Sequence, residues 1–249
     1  VHGQLEFVEE ALLLVNEEGI IQSIVRPTDE MYADTLYAAK QTPDFVELAQ
    51  GQYFLPGFID LHVHAPQWPQ AGVALDTPLN HWLDECTFPL EAKYEDVDFA
   101  KEVYQDLVAH LLAQGTTTVL YFATVHQAAS LALAEICGQQ GQRGLVGKVV
   151  MDLEEMNPSY YRDASAQSAI EETESFILAV KELGKDVKQG IYPVVTPRFV
   201  PSCSEEALRG HGNLVQKHHV HVQSHCSESQ WAHDFVFERF GKRDTEVLR

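Results

Sequence analysis

Hydrophobic positions follow two regimes along this chain of 249 residues. In residues 11–49 they come as short runs, 11–15 (ALLLV), 20–25 (IIQSIV) and 45–48 (FVEL), set off by polar stretches such as Asn16-Glu17-Glu18-Gly19 and Gln50-Gly51. Runs of this length beside Asn and Gly predict small antiparallel strands, too few for a complete sandwich. From residue 55 onward, apolar runs of strand length alternate with longer stretches of helical period. Strands are predicted within 55–67 and at 116–125, 146–153, 191–199 and 220–225. Helices are predicted near 94–114, 127–139, 166–183 and 204–218, with Gly115 as a C-capping residue.

Strands joined by helical crossovers run parallel, which leaves a doubly wound sheet or a (β/α)8 barrel. No GxGxxG follows the first of these strands, so dinucleotide binding loses ground. The expected fold is therefore α/β, a (β/α)8 barrel of the TIM type. A whole barrel takes about 250 residues by itself, and the strand count here stops at five. The expectation is a partial small β-sandwich domain over 1–54 and about the first five βα units of a barrel over 55–249. The chain is then expected to start inside its first hairpin and to stop before a sixth strand.

The segment 55–67, LPGFIDLHVHAPQ, carries the sharpest chemical signal. Side chains alternate along a strand, so Phe58, Asp60, His62 and His64 share one face while Ile59, Leu61 and Val63 share the other. The second set is expected to pack beneath covering helices, as in a strand buried on both sides. Twelve His in 249 residues yield ~0.6 His-x-His pairs by chance, and His219 and His221 form another. Context lifts the first pair: a Pro56-Gly57 turn launches the strand, and its carboxyl end is where parallel α/β folds place ligands.

Composition narrows the function. The formal charge of −20, from 37 acidic against 17 basic residues, disfavours nucleic-acid binding. Cys86, Cys137, Cys203 and Cys226 are scattered, without a C-x-x-C pair, and no secretory leader is read, so a reducing cytoplasm is the expected compartment. Apolar runs fall short of the roughly 20 residues that span a bilayer, so no membrane segment is expected.

In the fifth strand and beyond, VHVQSHCSE, alternation places His221, Gln223 and His225 on one face, with Glu228 three residues past the strand end. If the strands follow one another around a barrel, His62, His64 and His225 ring one mouth, a trio of imidazoles suited to a catalytic zinc with an open position. Three imidazoles do not exclude iron. Glu228 is then placed to move a proton between water and a leaving group, or else it caps the following helix. Arg198, in VVTPRFVPSCS, offers a rigid donor fork to a planar ligand, or a surface ion pair. Phe199 stacks on such a ligand or fills the core. Gln67 offers a donor and an acceptor, or is a plain loop residue. The remaining histidines, among them His81, His110, His126, His211, His218 and His233, have no ligating pattern.

Taken in order, LPGFIDLHVHAPQ, YFATVH, GKVVMDL, VTPRF and HVQSHCSE resemble the amidohydrolase superfamily over nearly the whole chain, and within it the guanine deaminases of the barrel type. The resemblance implies one zinc held by His62, His64 and His225, with Glu228 as proton shuttle and Gln67, Arg198 and Phe199 contacting the purine. It implies hydrolysis of guanine to xanthine and ammonia by a cytoplasmic homodimer. A further metal-ligating Asp and a substrate-positioning His of the superfamily would lie beyond Arg249. No Lys occurs in 191–199, where dinuclear members carry a bridging lysine, so a mononuclear site is expected. Two other readings remain at this point: a relative acting on another purine, pyrimidine or triazine ring, and a non-catalytic scaffold of the same fold.

Overall fold

The computed structural model describes residues 6–249. The chain divides into two compact units, Val1–Leu55 and Pro56–Arg249.

In the first unit, β1 (Leu12–Val15) pairs antiparallel with β2 (Ile21–Val25). The turn is held by Asn16, whose Oδ1 accepts from the amides of Glu18 at 3.1 Å and Ile20 at 2.8 Å, and by Gly19 at φ 80°. Helix α1 (Tyr32–Ala39) follows, where the pattern predicted no helix. Its half-buried Tyr32, Leu36 and Ala39 recur at helical spacing, a signal too short to stand out. The predicted strand at 45–48 does not form: a strand needs a partner for its backbone groups, and among the described residues none pairs with it.

The second unit is an open half-barrel. Strands β3 (Phe58–His64), β4 (Thr116–Phe122), β5 (Arg143–Gly147), β6 (Val149–Val150), β7 (Ile191–Pro197) and β8 (His221–Val222) form one parallel arrangement in which β3, β4, β5 and β7 are successive neighbours. β6 and β8 each pair with β7, at Val149–Thr196 and Val194–His221. The third predicted strand, 146–153, thus starts earlier and is broken. Buried Lys148 interrupts it between β5 and β6, and its Nζ meets Asp163 Oδ1 at 2.7 Å. The fifth predicted strand is shorter than expected, continued by a single bridge between Phe199 and His225.

Between β3 and β4 the chain forms a 3-10 turn (Ala65–Gln70), then a helical run: α2 (Leu79–Trp82), a π-helical turn (Leu83–Thr87), α3 (Phe88–Glu91) and a second 3-10 turn (Ala92–Glu95). The crossover helices are α4 (Val97–Ala113), α5 (Gln127–Gln140), α6 (Ala166–Gly184) and α7 (Glu205–His218), followed by α8 (Gln230–Phe240) and α9 (Asp244–Val247). Polar side chains cap three of them: Asp96 accepts from the amides of Asp98 and Phe99 ahead of α4, Ser165 from that of Ser168 ahead of α6, and Ser204 from that of Ala207 ahead of α7. Each such cap contributes about 1 kcal/mol. Gly115 at φ 86° turns the chain from α4 into β4.

The main core lies between sheet and helices, with Val119, Tyr121 and Val146 of the strands against Tyr104, Leu107, Leu133 and Phe176. A second cluster, including Leu83, Phe88, Phe122, Tyr161 and Phe199, fills the carboxyl ends of the strands. β3 departs from expectation. Ile59 and Leu61 are 64% and 66% exposed, and only Val63 packs on the core. Among the described residues β3 pairs with β4 alone, and α4 packs on β4 and on the turn after β3, so none of them covers the outer side of this edge strand.

Candidate active site

Parallel pairing sets which residues reach the mouth of the sheet. His64 lies beside Phe122 in the register of β3 and β4, Phe122 beside Gly147, and Phe199 beside His225. Because β3 alternates, His62 and His64 emerge on the same side, and three imidazoles meet there. Nε2 of His225 lies 2.9 Å from Nε2 of His64 and 3.2 Å from Nε2 of His62. This is the only trio of His, Cys, Asp or Glu groups among the described residues that could hold a metal ion, with all ligand atoms within 4.8 Å. Buried Phe122 forms its floor, stacked on His64 at 4.7 Å between centroids.

Protonation follows from the surroundings. Nδ1 of His225 is 2.6 Å from the Arg198 carbonyl oxygen, which can only accept, so the proton sits on Nδ1 and Nε2 keeps its lone pair. Burial pushes the His225 imidazole down to about 4, with the nearby Arg198 and His62 charges adding to the effect against the carbonyl's contrary pull. Burial, then the same Arg198 charge, holds His64 well below the ordinary histidine range. Three imidazoles crowded this closely cannot all be cations, and neutral nitrogens facing one point suit a divalent metal.

A cavity of about 150 Å³ opens over the trio, lined by His62, His64, Gln67, Leu79, Trp82, Leu83, Arg198, Phe199, His225 and Glu228. All seven residues singled out in the sequence therefore line one cavity. Glu228 is exposed as a residue, yet its carboxyl loses enough water at the mouth to be raised above the usual carboxylate range, against the opposing pull of Arg198 and His62. Arg198 is buried, not a surface residue.

The pattern missed Glu91. This fully buried carboxylate receives Arg198 Nη1 at 2.6 Å and Nη2 at 3.3 Å, the Tyr161 hydroxyl at 2.7 Å and Gln67 Nε2 at 2.9 Å. Arg198 also stacks over Phe88 at 5.1 Å. Nothing in the sequence around a lone Glu at the end of α3 marks it; its partner Arg198 is 107 positions away. Trp82 and Leu83, at the π-helical turn, were likewise without a signal; such turns recur at functional sites.

Comparison with known proteins agrees with this architecture. A probable guanine deaminase of Schizosaccharomyces pombe is 41% identical over 192 residues, which cover 77% of this chain and 36% of that protein. The guanine deaminase of Homo sapiens is 38% identical over 226 residues, 91% of this chain and 48% of the human one. The crystal structure of guanine deaminase from C. acetobutylicum with bound guanine in the active site superposes with a TM-score of 0.79 at 32% identity, covering 96% of this chain and 53% of that one. The chain thus spans about half the length of these relatives, or less. The family model described as Amidohydrolase family matches residues 53–248, the half-barrel that carries the imidazole trio, and the chain belongs to that family.

Proposed function

We propose that this protein is a guanine deaminase, converting guanine and water to xanthine and ammonia. The observation that carries the reading is the gathering of His62, His64, His225, Glu228, Arg198 and Gln67 around one cavity. The similarity to guanine deaminases, one of them with guanine bound, supports the choice of ring. His62, His64 and His225 are the proposed ligands of one zinc ion. When bound there, the metal supplies the Lewis acidity that makes water a nucleophile near neutral pH.

The side chains of this chain do the rest. Glu228 takes a proton from the attacking water, passes it to N3 of the ring as the oxygen adds to C2, and assists departure of the C2 amine as ammonia. Its raised proton affinity fits a group that must hold a proton between these steps. Arg198 donates to the ring's carbonyl, Gln67 meets the adjoining ring nitrogen, and Phe199 packs on the ring face. Together they aim the amine-bearing carbon at the trio. Leu79, Trp82 and Leu83 supply apolar lining to the same cavity.

A homodimer in the cytoplasm is part of the same proposal. The four cysteines, none of them in a disulfide, accord with a reducing compartment, and no described helix is long and apolar enough to cross a membrane. The deciding experiment measures ammonia released from guanine by the intact protein, beside adenosine, cytosine and a triazine, with elemental analysis for zinc and iron. Guanine as the preferred substrate and about one zinc per chain are expected. Preferred release from another ring hands the site to that substrate class, and metal-free, inactive protein supports a scaffold.

A further inference from the structure

Glu91 fixes the polarity of the cavity wall. A carboxylate only accepts hydrogen bonds, so the Gln67 atom 2.9 Å from Glu91 Oε1 is the amide nitrogen. Gln67 Oε1 is thereby left as an acceptor with no protein donor among the described residues, on a side chain that lines the cavity. Arg198 is held likewise. Nη1 gives one proton to Glu91 Oε2 at 2.6 Å and points another at Met151 Sδ at 3.7 Å, while Nη2 reaches Oε1 at 3.3 Å. Among the described residues, the second Nη2 proton and Nε–H remain as donors without a protein acceptor. The Tyr161 hydroxyl at 2.7 Å completes the coordination of Glu91, which is sealed from solvent.

One carboxylate therefore turns the acceptor end of Gln67 toward the cavity and orients Arg198, which can only donate, in the same wall. A lactam edge, C=O beside a ring N–H, complements that pair. An amidine edge, C–NH2 beside an unprotonated ring nitrogen, presents a donor where Arg198 donates and an acceptor where Gln67 accepts. We propose that Glu91 is a positioning residue whose contacts to Gln67 and Arg198 make the cavity select rings with a lactam edge over rings with an amidine edge. This rests on the reading of the cavity as a purine site, but not on which bond is broken there.

The test is equilibrium binding of hypoxanthine and adenine to the intact, metal-loaded protein by calorimetry. The two differ at the discriminating edge, and neither has the 2-amine that the proposed reaction removes. Wild type is expected to prefer hypoxanthine by on the order of 100-fold, because wrongly paired buried polar groups are strongly rejected. Glu91→Gln should cut that preference about tenfold or more by weakening hypoxanthine, with metal content unchanged. An undiminished preference in folded Glu91→Gln protein overturns the proposal. Should that variant not fold, Gln67→Met carries the test, since it removes the acceptor and leaves the Glu91–Arg198 pair whole. It must lose about the same preference, and retention overturns the proposal. Wild type that prefers hypoxanthine yet releases no ammonia from guanine refutes the deaminase reading and leaves this one standing. Ammonia from guanine without that preference does the reverse.

Discussion

His225 uses its two ring nitrogens differently. Nδ1 is committed to the Arg198 carbonyl, and Nε2 faces His62 and His64. The spacing of two along β3 made the first two rings legible, because strand alternation is a local rule. The third ring was legible only on the assumption that the strands follow in order around a barrel. Glu228, from the same short run, lines the cavity, and under the proposed function replacing it with Gln is expected to lower turnover of guanine ~10²-fold to 10⁴-fold with metal content intact, as steady-state kinetics and elemental analysis would show. Turnover near the wild-type level would remove the proton role. Away from the site, His211 is buried on α7, with Nδ1 against the Ala207 carbonyl at 2.7 Å and Nε2 near Thr173 Oγ1 at 3.0 Å. Burial lowers its proton affinity, helped by Lys148 and opposed by the Ala207 carbonyl, Asp163 and Asp152. A folded-state value below the unfolded one means stability present above the ordinary histidine pKa of about 6.5 and lost as pH falls below it toward the lowered folded-state value. His211→Asn should therefore flatten the fall in Tm between neutral and mildly acidic pH, and an equally steep fall would count against it.

At the level of elements, the half-barrel was readable because apolar strand runs alternate with helical periods, and the crossover helices start and stop within a few residues of where that period and Gly115 put them. The break at Lys148 was not. A lysine inside an apolar run gives no hint of whether it points to solvent or finds Asp163 fifteen positions on. Lys148 and Asp163 are 0% and 2% exposed, so removing one partner leaves a buried charge. Asp163→Ala should destabilise by about 3–5 kcal/mol, read from the urea midpoint. A loss below about 1 kcal/mol would mean that water or Glu172, 3.5 Å from the ammonium, takes over. Gly147, where β5 ends, is a close-approach glycine: a Cβ there would sit 1.8 Å from Thr196 Oγ1 on β7 and 2.9 Å from Gln223 Nε2. Gly147→Ala should cost about 1–3 kcal/mol from overpacking, whereas Ala at open Gly212 in α7 should not destabilise.

For the whole molecule, charge and exposed apolar surface pull in opposite directions. A net −20 keeps chains apart, while β3 offers Phe58, Ile59 and Leu61, all more than half exposed, beside a backbone edge that no described strand pairs. Produced as these 249 residues, the chain is expected to self-associate increasingly as salt screens its charge, and Leu61→Lys should suppress this in sedimentation. Association that salt weakens would reverse the assignment of the driving force. The sequence by itself determined the strand–helix alternation, the paired histidines, the acidic surface and a family resemblance, because each rests on periodicity, local spacing or composition. Only the tertiary structure decided that Ile59 and Leu61 stay uncovered, that Lys148 breaks a strand, and that Glu91 joins Gln67, Tyr161 and Arg198. Those outcomes depend on which distant segments become neighbours, and burial makes such pairings strong without leaving any trace in the residues beside them.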